Sequence, residues 1–329
     1  MEYTGQNKLE LFVDNAQIMK KKFIWQGDMV KRMASLLYAR EGKAVDCEAI
    51  RRCHDLIKQN TGVFSVFRGN MALCVAALLS LSPDPQEVFG ETLKVYGLLK
   101  GVKLRDSDFL VAAAFHIAEQ SDASDYVNVV NRTRSFYDKM KAYHFFLTGQ
   151  DDYIFAAMLG LADLDVAPGV ERIERIHSRL KGEFRDKNSV QALSQVLALA
   201  DSDDRVITRV LALRDALRSQ KIKLDQTYTL PVLGVLAILP VDIETIVRDI
   251  GAARDTLKAK KGFGPLSVSK QELLLFAASI IASDYAGSVK NGVLTATLAT
   301  SISNMIIAQQ TAMIAVISAS TAAAQSESS

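Results

Sequence analysis

A short apolar run ending in an Asp-containing turn recurs along this chain, at Asp84, Asp122, Asp165, Asp203, Asp242 and Asp284. The spacing, about 38 to 43 residues, is that of two-helix repeats set side by side. Such a unit buries its apolar face only against its neighbours. The fold class expected is therefore all-α: an α-solenoid-like stack of about five to six helix-turn-helix repeats. Residues 1–60 read as an N-terminal helical cap, 61–290 as the repeats, and 291–329 as a C-terminal helical segment of the same domain.

Each unit begins with a small, nearly uncharged segment rich in Ala, Leu and Val. NMALCVAALLSL from Asn70, DFLVAAAFHIAE from Asp108, DDYIFAAMLGLA from Asp151 and YTLPVLGVLAIL from Tyr228 are examples. A helix apolar on most faces is a buried one. Pro231 falls in the first turn of its helix, where a missing N–H costs nothing. A longer amphipathic segment follows, as in PGVERIERIHSRLK, with Val170, Ile173, Ile176 and Leu180 at helical spacing. Acidic residues gather at its start and basic ones at its end, which suits the helix dipole. A third landmark closes the unit. Leu104, Phe146, Phe184, Leu224 and Leu266 each precede a capping candidate: Ser107, Thr148, Asn188, Thr227 and Ser269. That is the arrangement of a hydrophobic staple, and it predicts that all five apolar residues are buried.

Composition narrows the function classes. With 49% hydrophobic residues the chain can build a large core, and with 18 Gly and 6 Pro it favours long helices. The balance of 39 basic against 37 acidic residues gives a net charge of +2, which argues against nucleic acid as a partner. Three cysteines, Cys47, Cys53 and Cys74, form no disulfide framework, and the charged N-terminus is no secretory signal. A cytoplasmic setting is expected.

The two ends differ from the middle. The N-terminal cap carries Lys20, Lys21, Lys22 and the only tryptophan, Trp25. Residues 291–326 hold no charged side chain and are rich in Ala, Thr, Ser and Ile, with Gln309 and Gln310 near the centre. Terminal repeats usually present a polar outer face. Something is therefore expected to cover this segment: a second copy, a protein partner or a lipid surface.

No catalytic constellation is visible. The sequence has no G-x-S-x-G, no H-E-x-x-H, no P-loop and no G-x-G-x-x-G. Cys47, Cys53 and His54 in CEAIRRCH lack the paired spacing of a zinc site, so no metal and no cofactor are expected. The acidic turns, Asp201, Asp203 and Asp204 or Asp163 and Asp165, read as helix caps rather than cation sites. His177 reads as solvent-facing, His144 as a helix-end residue, and His116 as a core histidine. The basic helix ends, among them Lys100, Lys141, Arg179 and Arg218, would form a stripe across a stack.

FSVFRGN (Phe64 to Asn70), SPDP (Ser82 to Pro85), KVYGLLK (Lys94 to Lys100) and SDFLVAAAFHIA (Ser107 to Ala118) together resemble the bacterial domain-of-unknown-function family numbered 4003. The resemblance implies a bacterial, cytoplasmic, one-domain protein and brings no activity with it. At the join between cap and first repeat, Arg68 is expected to tie helix-end carbonyls or an Asp, and Asn70 to cap the helix from Met71. The leading expectation is a non-enzymatic repeat protein that binds a protein partner or itself. One alternative is an enzyme or small-ligand protein with a site inside a helical toroid or bundle, its candidates Arg68, His116, Tyr153 and the acidic turns. Another is peripheral membrane association through residues 291–329.

Overall fold

A computed structural model describes residues 4–289 except 70, 201–203 and 227–228. Fourteen α-helices and two short 3-10 turns account for its regular structure, with no strand among the described residues. Contacts divide the chain into two compact units. The uncharged segment 291–326, the cap candidates Asn70 and Thr227, and Asp201 and Asp203 lie outside the described residues.

The unit of residues 14–166 holds the second half of α1 (Thr4–Lys22), then α2 (Asp28–Arg40), α3 (Cys47–Asn60), α4 (Ala72–Leu81) and α5 (Pro85–Gly101). It continues with α6 (Asp108–Gln120), α7 (Tyr126–Tyr143) and α8 (Tyr153–Leu161). The short helices are buried on every side. All residues from Ala72 to Leu79 in α4 and from Phe109 to Ile117 in α6 are inaccessible, as helices without a polar face must be. They pack on one another, α2 on α4 and α6 on α8. Each amphipathic helix packs on the short helix after it: α3 on α4, α5 on α6, α7 on α8. Buried Asn15 on α1 accepts from Val45 N at 2.8 Å and donates to Lys43 O at 3.0 Å, fixing the link between α2 and α3.

The second unit holds residues 4–13 and α9 (Val166–Leu180), α10 (Lys187–Leu199), α11 (Asp204–Ser219), α12 (Leu230–Ile238), α13 (Ile243–Ala259) and α14 (Lys270–Val289). The order of packing recurs: α10 on α12, α12 on α14, α11 on α12 and α13 on α14. Phe12 closes this core, its ring 5.3 Å from Phe263 and 5.1 Å from Phe276. The spacing expected for α9 holds, with Val170, Ile173, Ile176 and Leu180 all buried.

Capping follows local sequence. Asp84 accepts from Gln86 N and Glu87 N, and Asp242 from Thr245 N at 2.7 Å. Ser107 accepts from Leu110 N, while Ser269 and Glu272 form a reciprocal capping box. Other expectations are corrected. Asp186, not Asn188, caps α10, because its carboxylate reaches the amides of Asn188 and Ser189. Asp284 lies in no turn: α14 runs through it without a break, and its side chain is buried. Leu104, Phe184 and Leu224 are buried as the staple reading requires, but Phe146 and Leu266 are fully exposed. In the α13–α14 link, Phe263 and Val268 fill the apolar position instead.

An arginine device recurs at the ends of the short helices. From α7, Arg132 donates to the carbonyls of Gly160 (2.9 Å), Ala162 (2.7 Å) and Leu164 (2.9 Å), in the last turn of α8 and just past it. From α11, Arg209 donates in the same way to Ala237, Leu239 and Val241 past α12. From α9, Arg172 reaches Ala198 O at the end of α10. Helix ends leave carbonyls without intrahelical partners, and a planar guanidinium can satisfy several together.

Candidate functional site

Arg68 closes the 3-10 turn Val66–Arg68. Its Nε donates to Thr61 Oγ1 at 3.1 Å and its Nη2 to the carbonyls of Lys58 and Thr61. The side chain is spent on the C-terminal end of α3. Tyr153 opens α8, buried, with its ring 5.0 Å from Tyr137. Its hydroxyl accepts from the Arg105 amide at 3.2 Å, pinning the link between α5 and α6. Burial pushes its hydroxyl pKa up, which leaves it neutral and suited to structure.

His116 is different. It is wholly buried in α6, and Nδ1 lies 3.0 Å from the side-chain amide of Gln120. With that amide donating to Nδ1, the ring proton sits on Nε2. Nε2 has no hydrogen-bond partner among the described residues. Burial, reinforced by the Arg40 charge, depresses its pKa to about 4, so the ring is neutral near pH 7. Arg40 gives Nε and Nη2 to Glu41 Oε1, at 2.9 and 2.7 Å, and its Nη1 is also buried without a partner among the described residues. No hydrogen bond or ring contact among the described residues joins Arg68, His116 and Tyr153 into one site. His177, expected at the surface, is buried on α9 beside the apolar stripe.

The segments that carried the family resemblance do converge. Phe67 packs edge-on against Phe89 (5.6 Å) and Tyr96 (5.0 Å). Tyr96 donates to Asp106 Oδ1 at 2.9 Å and Lys100 to Oδ2 at 3.0 Å. Partial burial pushes the Asp106 carboxyl up, but these bonds outweigh it and hold the pKa below the usual range. Next to it, Asp108 opens α6 close to Gly69, where an added Cβ would meet Val66 O at 3.1 Å and Asp108 Oδ1 at 3.7 Å. Burial raises Asp108 to about 6, so this carboxyl exchanges its proton in mildly acidic solution. Cys74, under the same junction, is fully buried and its thiol is pushed far up, which makes it inert.

The other distinctive surface is aromatic. At the end of α7 Tyr143 is exposed, and beyond it Phe145 is exposed and Phe146 is 96% exposed. The rings of Phe145 and Phe146 meet edge to face at 5.3 Å. Lys141 sits between aromatic rings, its Nζ 5.4 Å from the Phe145 centroid and 5.5 Å from that of Tyr137. It also donates to Thr148 O at 3.3 Å. No catalytic motif marks this feature; its trace in the sequence is a doubled Phe after His144, where other units carry one apolar residue. Part of the expected basic stripe is engaged locally. Lys100 pairs with Asp106, Arg179 with Asp204 and Arg218 with Asp225.

Comparison with known proteins extends the view. The model of a family described as "Protein of unknown function (DUF4003)" matches residues 15–311. "Uncharacterized protein YeaA" of Bacillus subtilis (strain 168) is 26% identical over 316 residues, covering 93% of this chain and 92% of the relative. No solved structure matches. Among the described residues, no helix is long and apolar enough to cross a membrane.

Proposed function

The chain belongs to the DUF4003 family, and from that premise we propose that it is a helical-repeat module that docks a protein partner, or a second copy of itself, on the Phe145–Phe146 surface. The observation that carries this reading is the exposure of Phe146 at a position where Leu104, Phe184 and Leu224 are buried. Large apolar side chains held together at a surface mark interaction sites more often than scattered ones do. The Phe145 ring is already ordered by Lys141, so docking costs little side-chain entropy. The recurring packing order within each unit supports the solenoid-like repeat reading, whose surfaces commonly serve recognition. Arg68 and Tyr153, by contrast, are occupied in holding backbone. The reading takes the cytoplasm as its setting, in keeping with three unpaired cysteines.

The test is quantitative capture from a bacterial host with wild-type bait and F145S/F146S bait. The reading requires a near-stoichiometric protein, or untagged copies of the chain, retained by wild type and lost with the double variant. Equal recovery with both baits contradicts it.

A second reading, a small-ligand protein, is favoured by one observation. His116 Nε2 and Arg40 Nη1 are two buried donors without acceptors among the described residues. Thermal stabilisation of wild type, but not H116F, by an oxyanion would support it. Association with lipid through residues 291–329 remains a further reading, tested by deleting that segment.

A further inference from the structure

The end of α1 carries a feature that the docking surface does not use. Lys20, Lys21 and Lys22 form its last turn, all exposed. The chain then bends through residues 23–27, with Phe23 N bonded to Met19 O and Gln26 N to Phe23 O. This bend is held from the inside. Arg51 of α3 lies 5.4 Å over the Phe23 ring and donates to Lys22 O at 3.2 Å. On the outside it is bare. Ile24 is 65% exposed, Trp25 is 92% exposed, and Ile18 is exposed one turn back.

Charge around the bend is positive in balance. Asp28, the acid just after it, is paired with Lys31 at 2.7 Å and lies 3.9 Å from Arg32. Glu48 on the neighbouring helix is paired with Arg51. Lys20 lies close enough to lower the Asp28 pKa, but among the described residues no ion pair engages Lys20, Lys21 or Lys22. Basic side chains at a helix end do suit the dipole. The dipole does not explain a tryptophan and an isoleucine placed in water beside them on a braced turn.

We propose that the bend of Lys20 to Trp25 is an anchor for anionic lipid surfaces. Trp and aliphatic side chains settle at the headgroup level of a bilayer, and adjacent lysines are drawn to anionic lipid. Nucleic acid offers the same phosphate charge, but Ile18 and Ile24 would gain nothing from it, and the chain as a whole is close to neutral. The inference is independent of the Phe145–Phe146 reading, because its residues lie on other elements and its readout is separate.

Trp25 is the only tryptophan, so intrinsic emission reports this site alone. The experiment adds the full-length protein to phosphatidylcholine vesicles with and without about 30% phosphatidylglycerol. The anchor requires a blue shift, and quenching by bromine-labelled lipid, with the anionic vesicles only. Each lysine near such a surface contributes about fivefold to partitioning, so K20S/K21S/K22S is expected to weaken vesicle binding about a hundredfold. W25S, followed by vesicle sedimentation, should weaken it as well. These residues are exposed, so matching circular dichroism spectra certify the fold. Three results overturn the proposal: no emission shift with anionic vesicles, sedimentation unaffected by the variants, or lysine-dependent binding to an oligonucleotide with none to vesicles.

Discussion

Arg132 and Arg209 hold the same station in two different units: each donates to carbonyls 28, 30 and 32 residues farther along the chain. The offset is identical although α7 has 18 residues and α11 has 16, so what recurs is the distance along the chain from the arginine to the end of the next short helix. At this station the amphipathic helices α7, α9, α11 and α13 each face the helix that follows. There Arg132, Arg172 and Arg209 take up carbonyls, while Asp249 instead accepts from the Tyr285 hydroxyl. Removing Arg132 or Arg209 leaves helix-end carbonyls without a charged donor. R132A and R209A are each expected to cost about 2 kcal/mol in urea unfolding, and R132M, which keeps the stem, nearly as much.

Close approach of α7 and α8 depends on Gly160. A Cβ there would lie 2.5 Å from Thr133 Oγ1 and 3.0 Å from both Thr133 N and Val129 O. Backbone cannot yield, so G160A is expected to cost about 2–3 kcal/mol despite the better helix propensity of Ala. At Gly234 the nearest atom, 2.6 Å away, is the tip of the Leu193 side chain, which can rotate. G234A is expected to change stability by less than about 1 kcal/mol. Equal losses at the two sites would contradict this account of the packing.

Asp108 and His116 share α6 and titrate against each other. Asp108 is raised from 3.8 to about 6 by burial, so between these values the folded state holds the extra proton and stability falls as pH rises. His116 is lowered from 6.5 to about 4, by burial first and Arg40 second, so there the unfolded state holds the extra proton and stability rises with pH. The windows overlap and the slopes oppose. In wild type these two contributions tend to cancel between pH 4 and 6, leaving the stability that the lowered carboxyls of Asp28, Asp106, Asp215 and Asp255 lose as pH falls. Relative to wild type, D108N should gain stability with pH across that range, and H116Q should lose it, each by at most about 1.4 kcal/mol per pH unit. Parallel profiles for all three proteins would refute the assignment.

The exposed aromatics carry no fold. F145S/F146S is expected to shift the unfolding midpoint by less than about 0.5 kcal/mol, because neither ring is buried. A large loss would place these rings in the core rather than on a docking surface.

What the sequence made legible was local. Helix type, the apolar short helices, and the caps at Asp84, Ser107, Asp242 and Ser269 depend on neighbours a few residues away. The errors came where tertiary packing decides. Phe146 and Leu266 match the staple pattern, yet both are exposed, and at Leu266 Phe263 and Val268 take the apolar position. Asp284 matches the turn spacing, yet α14 is long enough to absorb it. The arginine device was visible as a period of about 40 residues between Arg132 and Arg172, but its partners are carbonyls, which every sequence has. Of the site, His116 was legible as a core histidine. Arg68 was legible too, as a tie to helix-end carbonyls, which it makes at the end of α3. That Tyr153 would be consumed by the Arg105 amide was not, because a contact 48 residues apart determines it.

A photo-crosslinking phenylalanine analogue placed at Phe146, with Lys94 as an exposed control, tests docking most directly. After irradiation in living cells, the account predicts one discrete adduct from position 146, absent from position 94 and abolished by F145S. Its identity by mass would distinguish a second copy from another protein. No adduct at position 146, or equal adducts at both positions, would contradict the claim that this surface is where the protein meets its partner.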